Sequence, residues 1–303
     1  MIGDSNCRID FVHWHENQYS VLVQFMKSII KAFYSFLPFK KEIYTVLKTV
    51  WNPPESLYKH LHFKDVFTVS IDNKRKFKVN HFGYIIENEI FWRGLTGGWE
   101  KESLKLWIKL CADSEIILDI GANTGIFSLV AKTVNPDSQV YAFEPHQMFF
   151  KMLQQNVSLN DFDIMCEDKA ITNLNAEITI EDYSGEVHTI KVEGITLDKF
   201  IETKGLKKID LIKIDAENSE PEIIEGFLTF LPLFKPTFLI EIVNNSVAAK
   251  VFGYVKELGY LYFNINEDGF IRQTDRIEKS DHFNYLLCRP EVARRLGLIK
   301  NDT

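Results

Sequence analysis

Three short stretches of this 303-residue chain carry side chains that can do chemistry. "LDIGANTG", residues 118–125, sets Gly121 and Gly125 around Ala122, Asn123 and Thr124, with Asp119 two residues ahead of the first glycine. A turn so stripped of side chains lets something approach its backbone closely. "VYAFEP" ends in Glu144 and Pro145, and "DLIKIDAEN" places Asp215 and Glu217 one residue apart after an apolar run. Carboxylates collected at the ends of apolar runs can bind cations or take a proton from a reacting hydroxyl.

To bring these groups together, the segments that carry them must be neighbouring strands. Beyond about residue 110, apolar runs alternate with helical periods, which predicts an α/β domain built on a largely parallel sheet covered on both faces. Strands are expected at 116–120, 139–143, 163–166, 209–214, 237–243, 260–264 and 283–288, and helices starting near 125, 146, 196, 219 and 246. Residues 176–193 read as an inserted strand pair around Ser184 and Gly185. Ser219 and Glu222 have the spacing of a capping box, with Pro221 in the first turn of the helix that follows.

Ahead of this domain the pattern differs. Leu22, Phe25, Met26, Ile29, Ile30, Phe33, Phe36 and Leu37 recur at helical spacing up to Pro38, and Ile43, Leu47, Val50 and Trp51 predict a second helix that ends before Pro53. The first stripe is read as a packing face, and these helices could also join two copies of the chain. Alternation over 67–79 predicts a hairpin, "YIIENEIFW" a strand, and "GGWEKESLKLWIKLC" a helix with Leu104, Trp107, Ile108 and Cys111 in register. The chain thus divides into a helical segment 1–60, antiparallel strands with a linking helix over 61–110, and a sheet domain over 111–303.

Composition narrows the class. A hydrophobic share of 46% supports a substantial core, and a net charge of −7 argues against a nucleic-acid binder. The four cysteines show no paired spacing and read as reduced thiols of a cytoplasmic protein. No secretion signal or transmembrane segment is expected, since Tyr19 to Phe39 is broken by Gln24, Lys27 and Lys31.

The ligand crevice of an open parallel sheet lies beyond the carboxyl ends of its strands. Glu144 follows Gly125 by 19 residues, close to the roughly 20-residue offset at which an acid grips ribose hydroxyls, so the ligand should contain adenosine. A pyrophosphate wants the GxGxxG spacing and no negative charge beside the turn. Here Asp119 stands beside it and the spacing differs, which favours S-adenosylmethionine over a nicotinamide dinucleotide.

The stretches "ILDIGANTGIFSLVA", "VYAFEP", "ITLDKFIE", "DLIKIDAEN" and "LIEI" resemble, in order and spacing, the FkbM-like S-adenosylmethionine-dependent methyltransferases. The resemblance covers roughly residues 92–265, from the pair Trp99 and Glu100 onward, and leaves 1–90 outside it. It implies a Rossmann-like class I methyltransferase fold, a mostly parallel seven-stranded sheet with an antiparallel last strand, capped by the amino-terminal helices and hairpin. It further implies that Asp119, Gly121, Ala122, Asn123 and Gly125 surround the methionine part of the cofactor, that Glu144 and Pro145 hold the ribose side, that Asp168 or its neighbour Glu167 meets the adenine, and that Glu100 lies near the cofactor ammonium. Asn218 stands where the family usually has glycine; asparagine tolerates positive φ, so the turn can survive.

The expected reaction is methyl transfer, most simply to a hydroxyl of a sugar, glycolipid or natural product, the acceptor class coming from the resemblance. Positioning supplies most of the acceleration, and a general base aids a hydroxyl acceptor. Candidates are Asp215 and Glu217, which could equally cap the next helix, then Glu241, and His188 in the insertion. The same carboxylates could hold Mg²⁺, but a hard-cation site needs several converging oxygens. The pairs His13 with His15 and His60 with His62 lack an evident acidic or thiol partner and read as ordinary histidines. A nicotinamide-dependent oxidoreductase and a non-catalytic binding module are the rival readings.

Overall fold

The computed structural model describes residues 38–182 and 188–300. The chain divides into two compact units between Glu55 and Ser56. In the first, α1 (Lys40–Val50) is the helix predicted around Ile43 and Leu47; the stripe over residues 22–37 lies outside the described residues.

The second unit opens with the predicted hairpin, β1 (Val66–Ser70) and β2 (Lys76–Asn80), whose Phe67, Val69, Phe77 and Val79 are buried. The next segment corrects the sequence reading: "YIIENEIFW" forms a helix, α2 (Ile85–Arg93), not a strand. Its aromatic and branched residues resemble strand composition, but the buried positions Glu87, Ile90 and Phe91 follow a helical spacing, and Asn88 is tied on both sides. The Asn88 amide donates to the Tyr58 carbonyl at 2.8 Å, and its oxygen lies 3.1 Å from His81 Nε2. Helix α3 (Lys101–Cys111) follows as predicted.

The sheet domain comprises β3 (Ile116–Ile120), α4 (Ile126–Val134), β4 (Gln139–Phe143), α5 (Gln147–Leu159), β5 (Met165–Glu167), β6 (Ala170–Ile171), β7 (Glu177–Asp182), β8 (His188–Ile195) and α6 (Leu197–Lys204). It continues with β9 (Leu211–Ile214), α7 (Glu220–Glu225), β10 (Thr237–Glu241), α8 (Asn245–Val255), β11 (Leu261–Asn266), β12 (Phe270–Thr274) and β13 (Asn284–Cys288). The main sheet runs β12-β11-β13-β10-β9-β3-β4-β5. Strands β10, β9, β3, β4 and β5 are parallel, while β13 lies antiparallel to both β10 and β11. This is the Rossmann-like class I arrangement, with the seven predicted strands and an eighth, β12, folded back on β11. Strand β12 escapes the pattern because it is half exposed and carries Arg272 and Gln273 without apolar alternation. The insertion is β7 paired with β8, which also meets β6.

The sheet's two faces are chemically unequal. Leu118, Ile120, Ile212, Ile214, Phe238 and Ile240 point into an apolar core under α6, α7 and α8. Successive strand residues face opposite sides, so Asp119 and Lys213, register partners on β3 and β9, both point to the other face. Among the described residues no helix is long and apolar enough to cross a membrane.

Asn156 on α5 and Asn160, which caps that helix one turn later, tie the hairpin to the sheet domain. The Asn160 side-chain amide pairs with the Lys78 backbone as another strand would, accepting from its N–H at 2.7 Å and donating to its carbonyl at 2.8 Å. Asn156, fully buried, accepts from Asn80 N–H at 2.9 Å and donates to the Thr124 carbonyl at 2.8 Å. Asn156→Ala leaves both backbone groups unpaired and is expected to cost about 2–4 kcal/mol in urea unfolding, against about 1 kcal/mol for Asn160→Ala at the more exposed edge.

Candidate active site

The turn after β3 is dictated first by the protein's own backbone. Gly121 has φ +76°, and a Cβ there would sit 1.8 Å from the Asp215 carbonyl oxygen at the end of β9. Gly121 and Ala122 N–H both donate to the Phe143 carbonyl, at 3.0 and 2.9 Å, so the turn is clamped between the ends of β4 and β9. Gly125, with φ +90°, would drive a Cβ into Leu153 of α5 at 2.5 Å; it serves helix packing and does not line the cavity described below.

Glu144 braces the same turn from β4. One carboxylate oxygen accepts from Asn123 N–H at 2.8 Å, the other from His146 N–H at 2.9 Å, which leaves further lone pairs facing the cavity. Burial raises its pKa, and the two amide donors oppose that shift.

Lys213 is the residue that sequence reasoning passed over. It is buried on the polar face of β9, its Nζ 2.9 Å from Asp215 Oδ2 and 4.6 Å from the centre of the Phe127 ring. Burial alone would lower its pKa, but Asp215, Glu100 and Asp119 outweigh that and hold it above the ordinary lysine value. The signal was legible as a lysine inside the apolar run "LIKI", since a charge in a central strand needs partners. Asp119 belongs to this network: buried, it accepts from Ser128 Oγ at 2.6 Å and does not line the cavity, a correction to its expected place beside a ligand. The pleat turns it toward α4.

Glu100 arrives from the cap. It has a left-handed backbone, φ 43°, at the start of α3, whose free amides are held by Glu267 from the β11–β12 turn, with Glu102 N–H donating at 2.6 Å. The residue is half-buried, but its Oε2 is shut off from solvent without a hydrogen-bond partner. Burial pushes its pKa up to about 8, opposed by Lys213 and reinforced by Asp215, Glu267 and Glu241. Glu241, one position past Ile240 on β10, is raised to about 7 by burial and by the charges of Asp215 and Glu217.

The loop after β9 carries two adjacent non-glycine residues at positive φ, Glu217 at 49° and Asn218 at 77°. Asn218 thus fills the left-handed position that glycine would take, and Asn244 Nδ2 donates to its side-chain oxygen at 2.6 Å. Ser219 makes no capping hydrogen bond; Glu220 instead accepts from Ala216 N–H at 3.1 Å, so the predicted capping box is replaced by a carboxylate one residue later.

These pieces enclose a cavity of about 850 Å³ at the carboxyl ends of the strands. Of the predicted set, Glu100, Gly121, Ala122, Asn123, Glu144, Pro145, Asp215, Glu217 and Glu241 line it. Asp168 does not; its Oδ2 accepts from Gln147 Nε2 at 3.4 Å, and neighbouring Lys169 faces the cavity in its place. His188 opens β8, and its side chain lies outside the described residues. The apolar wall comes from Ile86 of α2, Phe149 of α5, Ile178 and Ile180 of β7, Val243 and Phe283. Among the described residues no group of three or more His, Cys, Asp or Glu could hold a metal ion.

Residues 119–262 match the methyltransferase FkbM domain, so this span is an FkbM-like methyltransferase domain. "Methyltransferase 1" of Beauveria bassiana is 25% identical over 146 residues, 38% of this chain and 59% of that protein. "Hexuronic acid methyltransferase AglP" of Haloferax volcanii is 22% identical over 152 residues, 47% of this chain and 62% of that protein. The chain therefore spans about 60% of the length of these curated relatives. The crystal structure of methyltransferase FkbM from Methylobacillus flagellatus KT is similar with a TM-score of 0.41 and 17% identity, over 58% of this chain and 44% of that one.

The buried acids set a pH dependence. Glu100, Glu220 and Glu241 bind protons more tightly folded than unfolded, with folded values of about 8, 7 and 7. The folded chain then holds more protons than the unfolded chain, and stability falls as pH rises through that range. His81, which burial lowers to about 4, adds slope only below its unfolded value near 6.5. Between pH 6.5 and 8.5 the ligand-free protein is expected to lose about 2–3 kcal/mol in urea unfolding, allowing for solvent screening at half-exposed Glu241, and Glu100→Gln should flatten the slope.

Proposed function

We propose that this chain is an S-adenosylmethionine-dependent methyltransferase acting on a hydroxyl of a sugar, glycolipid or natural product. The observation that carries the reading is Glu100, a cavity-lining residue whose Oε2 is buried without a hydrogen-bond partner, so that a carboxylate with unmet bonding capacity stands at the wall where a cation would bind. The glycine turn and Glu144 add the frame for an adenosine ribose on the other side of the same cavity. The FkbM-like domain supports the acceptor class.

Bound S-adenosylmethionine would supply the methyl group as a cation equivalent, the bond to sulfur breaking with its electron pair left on sulfur as the acceptor oxygen bonds to carbon. Glu144 would accept from the ribose hydroxyls, and the backbone around Gly121 and Ala122 would bound the methionine portion. Glu241 is the better general base of the two central acids. Its proton affinity lies near neutral, and it has no ion-pair partner among the described residues, whereas Asp215 is held in a salt bridge by Lys213. Asp215 then positions Lys213 and the loop that presents Glu217.

Isothermal titration tests the reading: S-adenosylmethionine should bind and NAD should not, and binding of NAD alone would overturn it. At pH 7 the cation should displace the proton on Glu100, so the apparent heat should depend on the ionisation enthalpy of the buffer, a dependence lost in Glu100→Gln. With an acceptor in hand, Glu241→Gln should lower turnover about 10²- to 10⁴-fold while leaving cofactor affinity within a few-fold.

A further inference from the structure

The charge of the cavity wall carries a statement about the acceptor, one that rests on the methyltransferase reading. Among the described residues only two ammonium groups and no arginine line the cavity, Lys169 and Lys213. Both are already paired: Lys213 with Asp215 at 2.9 Å and Lys169 with Glu193 at 2.5 Å. Glu217 and Glu241 line the end of the cavity formed by the loops after β9 and β10, and neither forms an ion pair among the described residues. Residues 183–187, Tyr-Ser-Gly-Glu-Val, include no lysine or arginine.

An anion brought to that end would face two half-desolvated carboxylates and, among the described residues, find no free lysine or arginine. At the effective dielectric near a protein surface, one like charge at about 4 Å is strongly repulsive, and the half-closed cavity screens it less than open solvent does. A sugar or phosphorylated compound that binds at an acid-selective site needs an arginine or a free lysine, the groups that hold carboxylates and phosphates in a fixed orientation. Hydroxyls and amines, by contrast, donate to carboxylates.

We propose that the acceptor carries no carboxylate or phosphate around its reacting oxygen: the site is built for neutral or amine-bearing polyols and rejects acidic sugars. Glu217 and Glu241 are the residues that impose this, Glu241 also serving the proton transfer and Glu217 acting as a specificity determinant.

The test compares methyl glucoside, methyl glucosaminide and methyl glucuronide, matched in shape, as acceptors for the full chain with S-adenosylmethionine at low ionic strength. The glucoside or the glucosaminide should be methylated at least about tenfold faster than the glucuronide, and added salt should narrow the gap. Glu217→Gln should raise the ratio of glucuronide to glucoside rates several-fold. A glucuronide methylated as fast as the others overturns the proposal, as do three sugars that behave alike, absence of turnover with all three included. Calorimetry with S-adenosylmethionine on the same protein separates the two levels. Failure to bind it removes the methyltransferase reading, while binding together with preference for the glucuronide removes only the inference about the acceptor.

Discussion

A single buried ammonium organises the polar half of this molecule. Lys213 lies in the middle of the parallel sheet, where an isolated charge would be costly, and it is tolerated because acids reach it from three directions. Asp119 stands beside it in register on β3, Asp215 follows it on its own strand, and Glu100 comes from the cap. The face of Phe127 covers it from α4. Each of these acids pays a desolvation cost that the lysine offsets, so the group stands or falls together. Sheet, cap and the loop after β9 are thereby fixed relative to one another at the point where the strands end.

Around that network the backbone is held in conformations that ordinary residues avoid. Glu100, Asn123, Glu217 and Asn218 all have positive φ, and all four line the cavity. Such conformations cost about 1–3 kcal/mol each and persist only where the surroundings over-determine them. The surroundings here are visible: Glu267 holds the start of α3, Glu144 holds Asn123, and Asn244 holds Asn218. Strain is thus collected at one wall-lined space and balanced by polar contacts from distant parts of the chain.

The same distinction between local and distant causes explains what could be read in the sequence. Strands β3, β4, β9, β10 and β13 are legible because central parallel strands are continuous apolar runs bounded by turn residues. The glycine turn and Glu144 follow from them by position. Helix α2 was misread because its helical period is carried by buried Glu87 and Asn88, polar residues whose partners, Thr124, His81 and Tyr58, lie elsewhere in the chain. Asp119 was placed against a ligand because its partner Ser128 and its neighbour Lys213 are brought to it by the fold alone. A side chain's type and spacing show that it can do chemistry; whether it faces a cavity or another element depends on contacts that sequence order does not contain.

This division also separates the two halves of the site. The floor of the cavity, with Gly121, Glu144 and Asp215, is set by strand ends whose register is fixed by the sheet. Its walls come from pieces added to that sheet: Ile86 and Glu100 from the cap, Ile178 and Ile180 from the insertion, Phe283 from the segment before β13. Changes in those added pieces alter the shape and charge offered to an acceptor without moving the strand ends, because the buried lysine network anchors the floor independently of the apolar wall. Glu100 is the exception that joins them. It belongs to the cap by sequence and to the Lys213 network by charge, so cap and sheet share one electrostatic cluster at the cavity wall.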